Sequence, residues 1–277
     1  MTDISSSPQA ERLPRRVRHD LRFRRLTVIR SVRRTPSLIQ VTVGGPDLAG
    51  FASPGFDDHV KLFFPDEQTG QLSLPTLDAE GRIAWSDGPR PVARDYTPLA
   101  YDAAAQTLDI AFALHEAGPA TRWAQNARPG DVLGVGGPRG SFILPTNFDG
   151  YVLIGDDTAL PAIERRLAEL PAGAPVRVLV EVDDAASQLD WVDRPGTTVQ
   201  WVHRQGDGRL PSQGLGQAAA QLAWPVGGVH VWIAAESGVA KALRAQVIAE
   251  RGQNPKWIKA AGYWRAGAAG AHDEHND

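Results

Sequence analysis

Cysteine is absent from this chain of 277 residues. That omission excludes disulfides, a thiolate nucleophile, cysteine-ligated zinc and a protein-bound iron-sulfur cluster, so redox chemistry has to come from a bound organic cofactor or a chelated metal. Lysine is nearly missing too: Lys61, Lys241, Lys256 and Lys259 stand against 25 Arg. No apolar stretch is long enough for a signal peptide or a membrane span, which gives a cytoplasmic location as the expectation. A net charge of -3 supplies no global basic excess, so no nucleic-acid partner is expected.

What is present is an ordinary globular composition, 42% hydrophobic and 22% charged, over a length that suits two domains with a core each. Ten Arg fall between Arg12 and Arg34. Residues 1–20 are therefore expected to form a flexible basic N-terminus leading into a solvated first strand. In SLIQVTVGG, Ile39, Val41 and Val43 alternate with Gln40 and Thr42; Leu108, Ile110, Phe112 and Leu114 repeat the alternation, as do Val60, Leu62 and Phe64. Short strands broken by Gly and Pro predict a small antiparallel β-barrel over 21–148. From YVLIG onward strands alternate with helical segments, predicting an α/β domain with a parallel sheet over 149–265. The remainder, 266–277, reads as a disordered tail; His272 and His275 lie in it among acids, and no metal site is expected.

Three segments carry chemistry. Arg94, Tyr96 and Thr97 form an RxYT triplet on a predicted strand, with Arg94 and Tyr96 on one face and Thr97 at its end on the other. A guanidinium fork suits a pyrophosphate, a flat aromatic can lie along a ring system, and a hydroxyl can hydrogen-bond a ring nitrogen. Gly118, Pro119, Ala120 and Thr121 open a predicted helix whose unpaired N-H groups suit an anion. The third segment, Asp156-Asp157-Thr158, follows the first strand of the second half, where an open α/β sheet docks a dinucleotide. It lacks GxGxxG. Its two carboxylates suit a helix start but repel phosphate, so either a dinucleotide is held weakly there or the acids orient donors without touching it.

RxYT, GPAT opening a helix, PGD, GPRGSF and then an α/β half resemble, in that order, the ferredoxin-NADP reductase superfamily. Within it, DDHVKLFFP, RDYTPL, GPATRWA, GDDTALPAI, WIAAES and GYWR are similar to the siderophore-interacting protein family of flavin-dependent ferric-siderophore reductases, from about Leu26 to Arg265. The resemblance implies FAD, with Arg94 on its pyrophosphate, Tyr96 against the isoalloxazine and Thr97 near flavin N5. It further implies His115, Gly118, Ala120 and Thr121 on the phosphate and adenosine side, and Asp156, Thr158, Ala159, Pro161, Glu236 and Ser237 in a cleft for NADH or NADPH. GDDTALP stands where the wider superfamily has a Gly-rich turn, and WIAAES where it has Cys-Gly-Pro, which puts the donor in question more than the flavin. Asp183 and Asp184 would disfavour a 2'-phosphate, and Arg204 would favour one.

No side-chain nucleophile is then required, because the flavin converts a two-electron donor into one-electron steps toward ferric iron. Many ferric siderophores are anionic, so Lys61, Arg139, Lys259 and Arg265 are the expected cationic mouth of the substrate site. The competing readings are a reductase serving a protein partner such as a ferredoxin, and a non-enzymatic flavin- or siderophore-binding protein.

Overall fold

The computed structural model of the protein describes residues 12–85, 88–114, 118–191, 193–204, 213–267 and 273–274. The N-terminal half contains β1 (Arg15–Arg18), β2 (Phe23–Thr35), β3 (Leu38–Gly44), β4 (Val60–Phe63), β5 (Thr76–Leu77), β6 (Ile83–Ala84), β7 (Ala93–Tyr96), β8 (Pro98–Asp102), β9 (Thr107–Ala113), α1 (Pro119–Asn126), β10 (Val132–Gly136) and β11 (Gly140–Ile143). Seven of these strands form one sheet in the order β7-β4-β10-β2-β3-β9-β8, and each of its pairings is antiparallel. The two edge strands, β7 and β8, are separated in sequence only by Thr97. A sheet whose opposite edges are joined through one residue has to curl until they meet. The Tyr96 ring of β7 accordingly lies 4.5 Å from Phe112 of β9, the neighbour of β8. The alternating residues read from the sequence fill the interior: Ile39, Val41, Val43, Val60, Leu62, Leu108, Ile110 and Phe112 belong to one buried cluster.

Of the N-terminus expected to be flexible, residues 1–11 lie outside the described residues, and residues 12–20 depart from expectation. Arg15–Arg18 pair antiparallel with Gly140–Ile143, and Arg12 forms an ion pair with Asp149 at 3.2 Å. An edge such as β11 carries unpaired N-H and C=O groups, and β1 satisfies them whatever its side chains are.

The second half contains β12 (Gly150–Asp156), α2 (Leu160–Glu169), β13 (Val176–Val182), β14 (Thr197–His203), α3 (Gln213–Gln221), β15 (Val229–Glu236), α4 (Ser237–Arg251), β16 (Ile258–Trp264) and β17 (Asp273–Glu274). Their order is β14-β13-β12-β15-β16-β17, parallel except for β17, which pairs antiparallel with Ala261 and Gly262 inside the segment expected to be a disordered tail. Every residue of β12 and β15 is buried, as a parallel sheet covered on both faces requires. Chain order reverses between β12 and β15, so their carboxyl ends flank the crevice where such sheets bind ligands.

The halves share a core. Phe56 of the barrel side lies edge-on to Trp232 of β15 at 5.4 Å, and both are almost fully buried; burying a side chain the size of Phe56 contributes about 1.5–3 kcal/mol. Arg165 of α2 reaches the Ser53 and Pro98 carbonyls at 2.6 and 2.9 Å, and Arg34 pairs with Glu164 at 2.8 Å.

Candidate active site

The register of β7 against β4 decides which way its side chains point. Arg94 stands opposite Leu62 and Tyr96 opposite Val60, both core residues, while Asp95 stands opposite Lys61 on the outer face. Burial pushes the Tyr96 phenol well above its ordinary range, so it stays neutral. From Tyr96 the aromatic contacts run through Phe112 to Trp123 of α1, with the latter two rings 5.7 Å apart. The triplet and the helix are thus parts of one packed unit. Arg94 donates to the Ala93 carbonyl at 2.8 Å through one arm of its guanidinium. Thr97 is 6% exposed and hydrogen-bonds Tyr263 of β16, whose phenol is raised by burial and then by the charge of Asp57.

Gly118 caps α1 in an extended conformation and, having no side chain, gives the first N-H groups no cap hydrogen bond of its own. Pro119 at the first helical position has no N-H to leave unpaired, and Ala120 and Thr121 are buried. His115 lies outside the described residues.

The crevice of the second half is built differently. Asp156 Oδ1 accepts from the Thr158 amide at 2.9 Å and from the Thr158 hydroxyl; its Oδ2 accepts from the Glu236 amide at 3.1 Å and from Trp264 Nε1 at 2.8 Å. One carboxylate therefore ties the ends of β12, β15 and β16 together across the switch point. Asp157 pairs with Arg204 at 2.9 Å, and Arg204 also meets Asp183 at 2.7 Å and Glu181 at 3.6 Å. Burial opposes the Arg204 charge, but the hydrogen bond and charge of Asp157, joined by Asp183, outweigh it and raise its pKa further. Glu236 caps α4, with Oε2 accepting from Gly238 at 2.6 Å and from Val239 at 3.1 Å. Thr158 is half-buried; Ala159, Pro161 and Ser237 are buried. Gly155 permits the tight turn, since a Cβ there would stand 2.3 Å from Ala159 Cβ and 2.7 Å from the Ala234 carbonyl. Of the two readings left open by the sequence, the geometry has the acids orienting the chain's own donors. Arg204 and Asp183 bind one another, and Asp184 caps the turn at Ser187.

On the outer face of the barrel lies an open cavity of about 370 Å³. His59, Lys61 and Phe63 line it at alternate positions, joined by Asp95, Arg139, Phe23 and Trp85. Phe63 contacts Phe23 and Trp85 edge-on at 5.9 and 6.1 Å. Gly136 lets the rings lie against the sheet, since a Cβ there would be 3.0 Å from both Phe23 and Phe63. Lys61 pairs with Asp95 at 2.7 Å. Of the four expected substrate cations, the cavity brings together Lys61 and Arg139. Lys259 is elsewhere: it offsets buried Asp57 at 2.7 Å and lies over the Phe142 ring, while Arg265 is exposed just beyond β16 and does not line the cavity. His59, Asp95 and Trp85 were missed from the sequence, although His59, Lys61 and Phe63 in HVKLF already shared a period of two.

An antiparallel barrel followed by a parallel sheet with a crevice at its switch point is the two-domain architecture of the ferredoxin-reductase type. The profile of the siderophore-interacting FAD-binding domain matches residues 27–142, and that of the siderophore-interacting protein family matches residues 148–267. The chain belongs to the siderophore-interacting protein family. It is 40% identical over 258 residues to the NADPH-dependent ferric-chelate reductase of Escherichia coli (strain K12), covering 92% of this chain and 98% of that one. It is 32% identical over 247 residues to the ferric vibriobactin reductase ViuB of Vibrio cholerae, covering 88% and 90%. The crystal structure of a siderophore utilization protein from T. fusca superposes with a TM-score of 0.86 at 40% identity, covering 93% of this chain and 98% of that one.

Proposed function

We propose that the protein is an FAD-dependent NAD(P)H:ferric-siderophore oxidoreductase. The observation that carries this reading is the double use of β7. Arg94 and Tyr96 face one side of the strand, and Asp95 faces the cavity of Lys61 and Arg139 on the other. Cofactor residues and substrate cations are thus one strand apart.

The donor set fits FAD. Arg94 and the uncapped start of α1 offer N-H groups to a pyrophosphate, and Tyr96 offers a neutral aromatic face. Thr97, held by Tyr263, presents an oriented hydroxyl at the end of the strand. Bound FAD supplies the conversion between a two-electron donor and one-electron acceptance by iron. The protein's own residues bind and position. Lys61 and Arg139 attract an anionic chelate, and the Phe23, Phe63 and Trp85 rings offer apolar faces to its organic part. In the crevice between β12 and β15 the chain's own carboxylates cap the turn before α2 and the start of α4, which suits a pyridine nucleotide that binds in passing. Among the described residues no helix is long and apolar enough to cross a membrane.

The test is anaerobic. NADPH or NADH should bleach the flavin band of the purified holoprotein, and iron(III) tris(2,3-dihydroxybenzoate) with a ferrous trap should restore it as ferrous iron appears. A flavin that stays reduced in the presence of the chelate would overturn the reading.

A further inference from the structure

We propose that His59 is a catalytic residue that protonates a chelate oxygen as ferrous iron leaves it. The inference rests on the reading of the Lys61–Arg139 cavity as the chelate site.

Reduction lowers the charge of the iron, but an oxyanion donor that loses the metal keeps a bare lone pair and can recapture it. A proton delivered to that oxygen makes release one-way. The step balances: the iron-oxygen bond breaks with its electron pair on oxygen, an imidazolium N-H bond breaks, and the new O-H bond holds the proton. The electron taken up by iron is the one the reductase supplies, and solvent reprotonates the imidazole.

Among the described residues that line the cavity, His59 has the side-chain chemistry this step calls for. Arg139 cannot give up a proton at neutral pH, and Lys61 is engaged by Asp95 at 2.7 Å. Imidazole is the side chain most often used as a general acid. His59 is exposed and precedes β4, two residues from Lys61 on the same face, so solvent reaches it and the chelate would lie against it. The neighbouring acids face other ways. Asp57 is bound by Trp232 Nε1 at 2.9 Å and by Lys259 at 2.7 Å, while Asp58 accepts from Ser141, Ser53 and the Gly55 amide. Among the described residues, the charged groups that line the cavity with the imidazole are Lys61 on β4, Asp95 on β7 and Arg139 after β10.

The experiment uses the holoprotein, iron(III) tris(2,3-dihydroxybenzoate) and a ferrous trap from roughly pH 6 to 8.5, with the redox-inert gallium(III) complex as a binding probe. Wild-type turnover should rise on acidification. His59→Gln should lose that rise and fall about 100-fold in kcat near pH 6.5, the lower end of general acid catalysis. Its gallium-complex Kd should stay within about twofold of wild type, as expected for a neutral exposed replacement beside intact cations. A His59→Gln profile that keeps the wild-type slope would overturn the assignment. Lys61→Ala and Arg139→Ala separate the two levels: if neither weakens gallium-complex binding, the cavity is not the chelate site; if both do while His59→Gln is silent, only the proton step fails.

Discussion

The two halves treat their helix starts in opposite ways. In the barrel half, the Gly118 N-cap brings no side chain to α1, and Arg139 and Lys61, the latter paired with Asp95, line an open cavity. In the α/β half, Asp156 caps the short 3-10 turn that leads into α2, Glu236 caps α4, and Arg204 is surrounded by Asp157, Asp183 and Glu181. The N-cap of α1 contributes no acceptor, whereas carboxylates cap the turn before α2 and the start of α4. An unspent donor set is what a retained cofactor needs, whereas a self-satisfied crevice suits a ligand that must leave every cycle.

The largest test of this contrast is Arg94→Ala, which removes a charged donor from the open side. FAD affinity should fall about 100-fold, in line with about 1.5–3 kcal/mol for a hydrogen bond to a charged group, with the fold intact; flavin occupancy on dilution measures it, and unchanged occupancy breaks the comparison. Asp156→Asn probes the closed side. It removes a charge that accepts from Thr158, Glu236 and Trp264, and should destabilise the protein by about 1–3 kcal/mol. Thermal unfolding should show this while FAD retention stays at the wild-type value; loss of flavin without loss of Tm would invert the argument. The smallest effect concerns buried His230, which burial first, and then the charges of Arg166 and Lys259, lower to about 3. Its folded value lies below the unfolded one, so the unfolded chain takes the proton first. The stability it contributes is complete above the ordinary histidine range and is lost as pH falls toward about 3. His230→Gln should therefore narrow the difference in Tm between neutral and mildly acidic buffer; an unaltered difference would assign the acid response to other groups.

Much of this architecture was legible because it is local. Alternation placed Ile39, Val41, Val43, Leu108, Ile110 and Phe112 in the barrel core, and the change of rhythm after NFDG announced the parallel sheet. The partners of charged residues were not legible, because they are set by tertiary packing. Lys259 reads as a surface cation until Asp57, far away in sequence, is found beside it. Arg204 reads as a candidate phosphate ligand until its carboxylates converge on it. Arg15–Arg18 read as a free arm because the edge that receives them, β11, lies on a distant segment. His59 was overlooked because its histidine identity carries no signal until the cavity gives it neighbours.

The seam at Thr97 has a consequence for assembly. The strands it joins are neighbours in the chain but lie at opposite edges of a seven-stranded sheet, so β7 can pair with β4 while β8 pairs with β9 only when the sheet is curled shut. The flavin contacts proposed at Arg94, Tyr96 and Thr97 sit on that closure. Flavin retention then reports whether the barrel is shut.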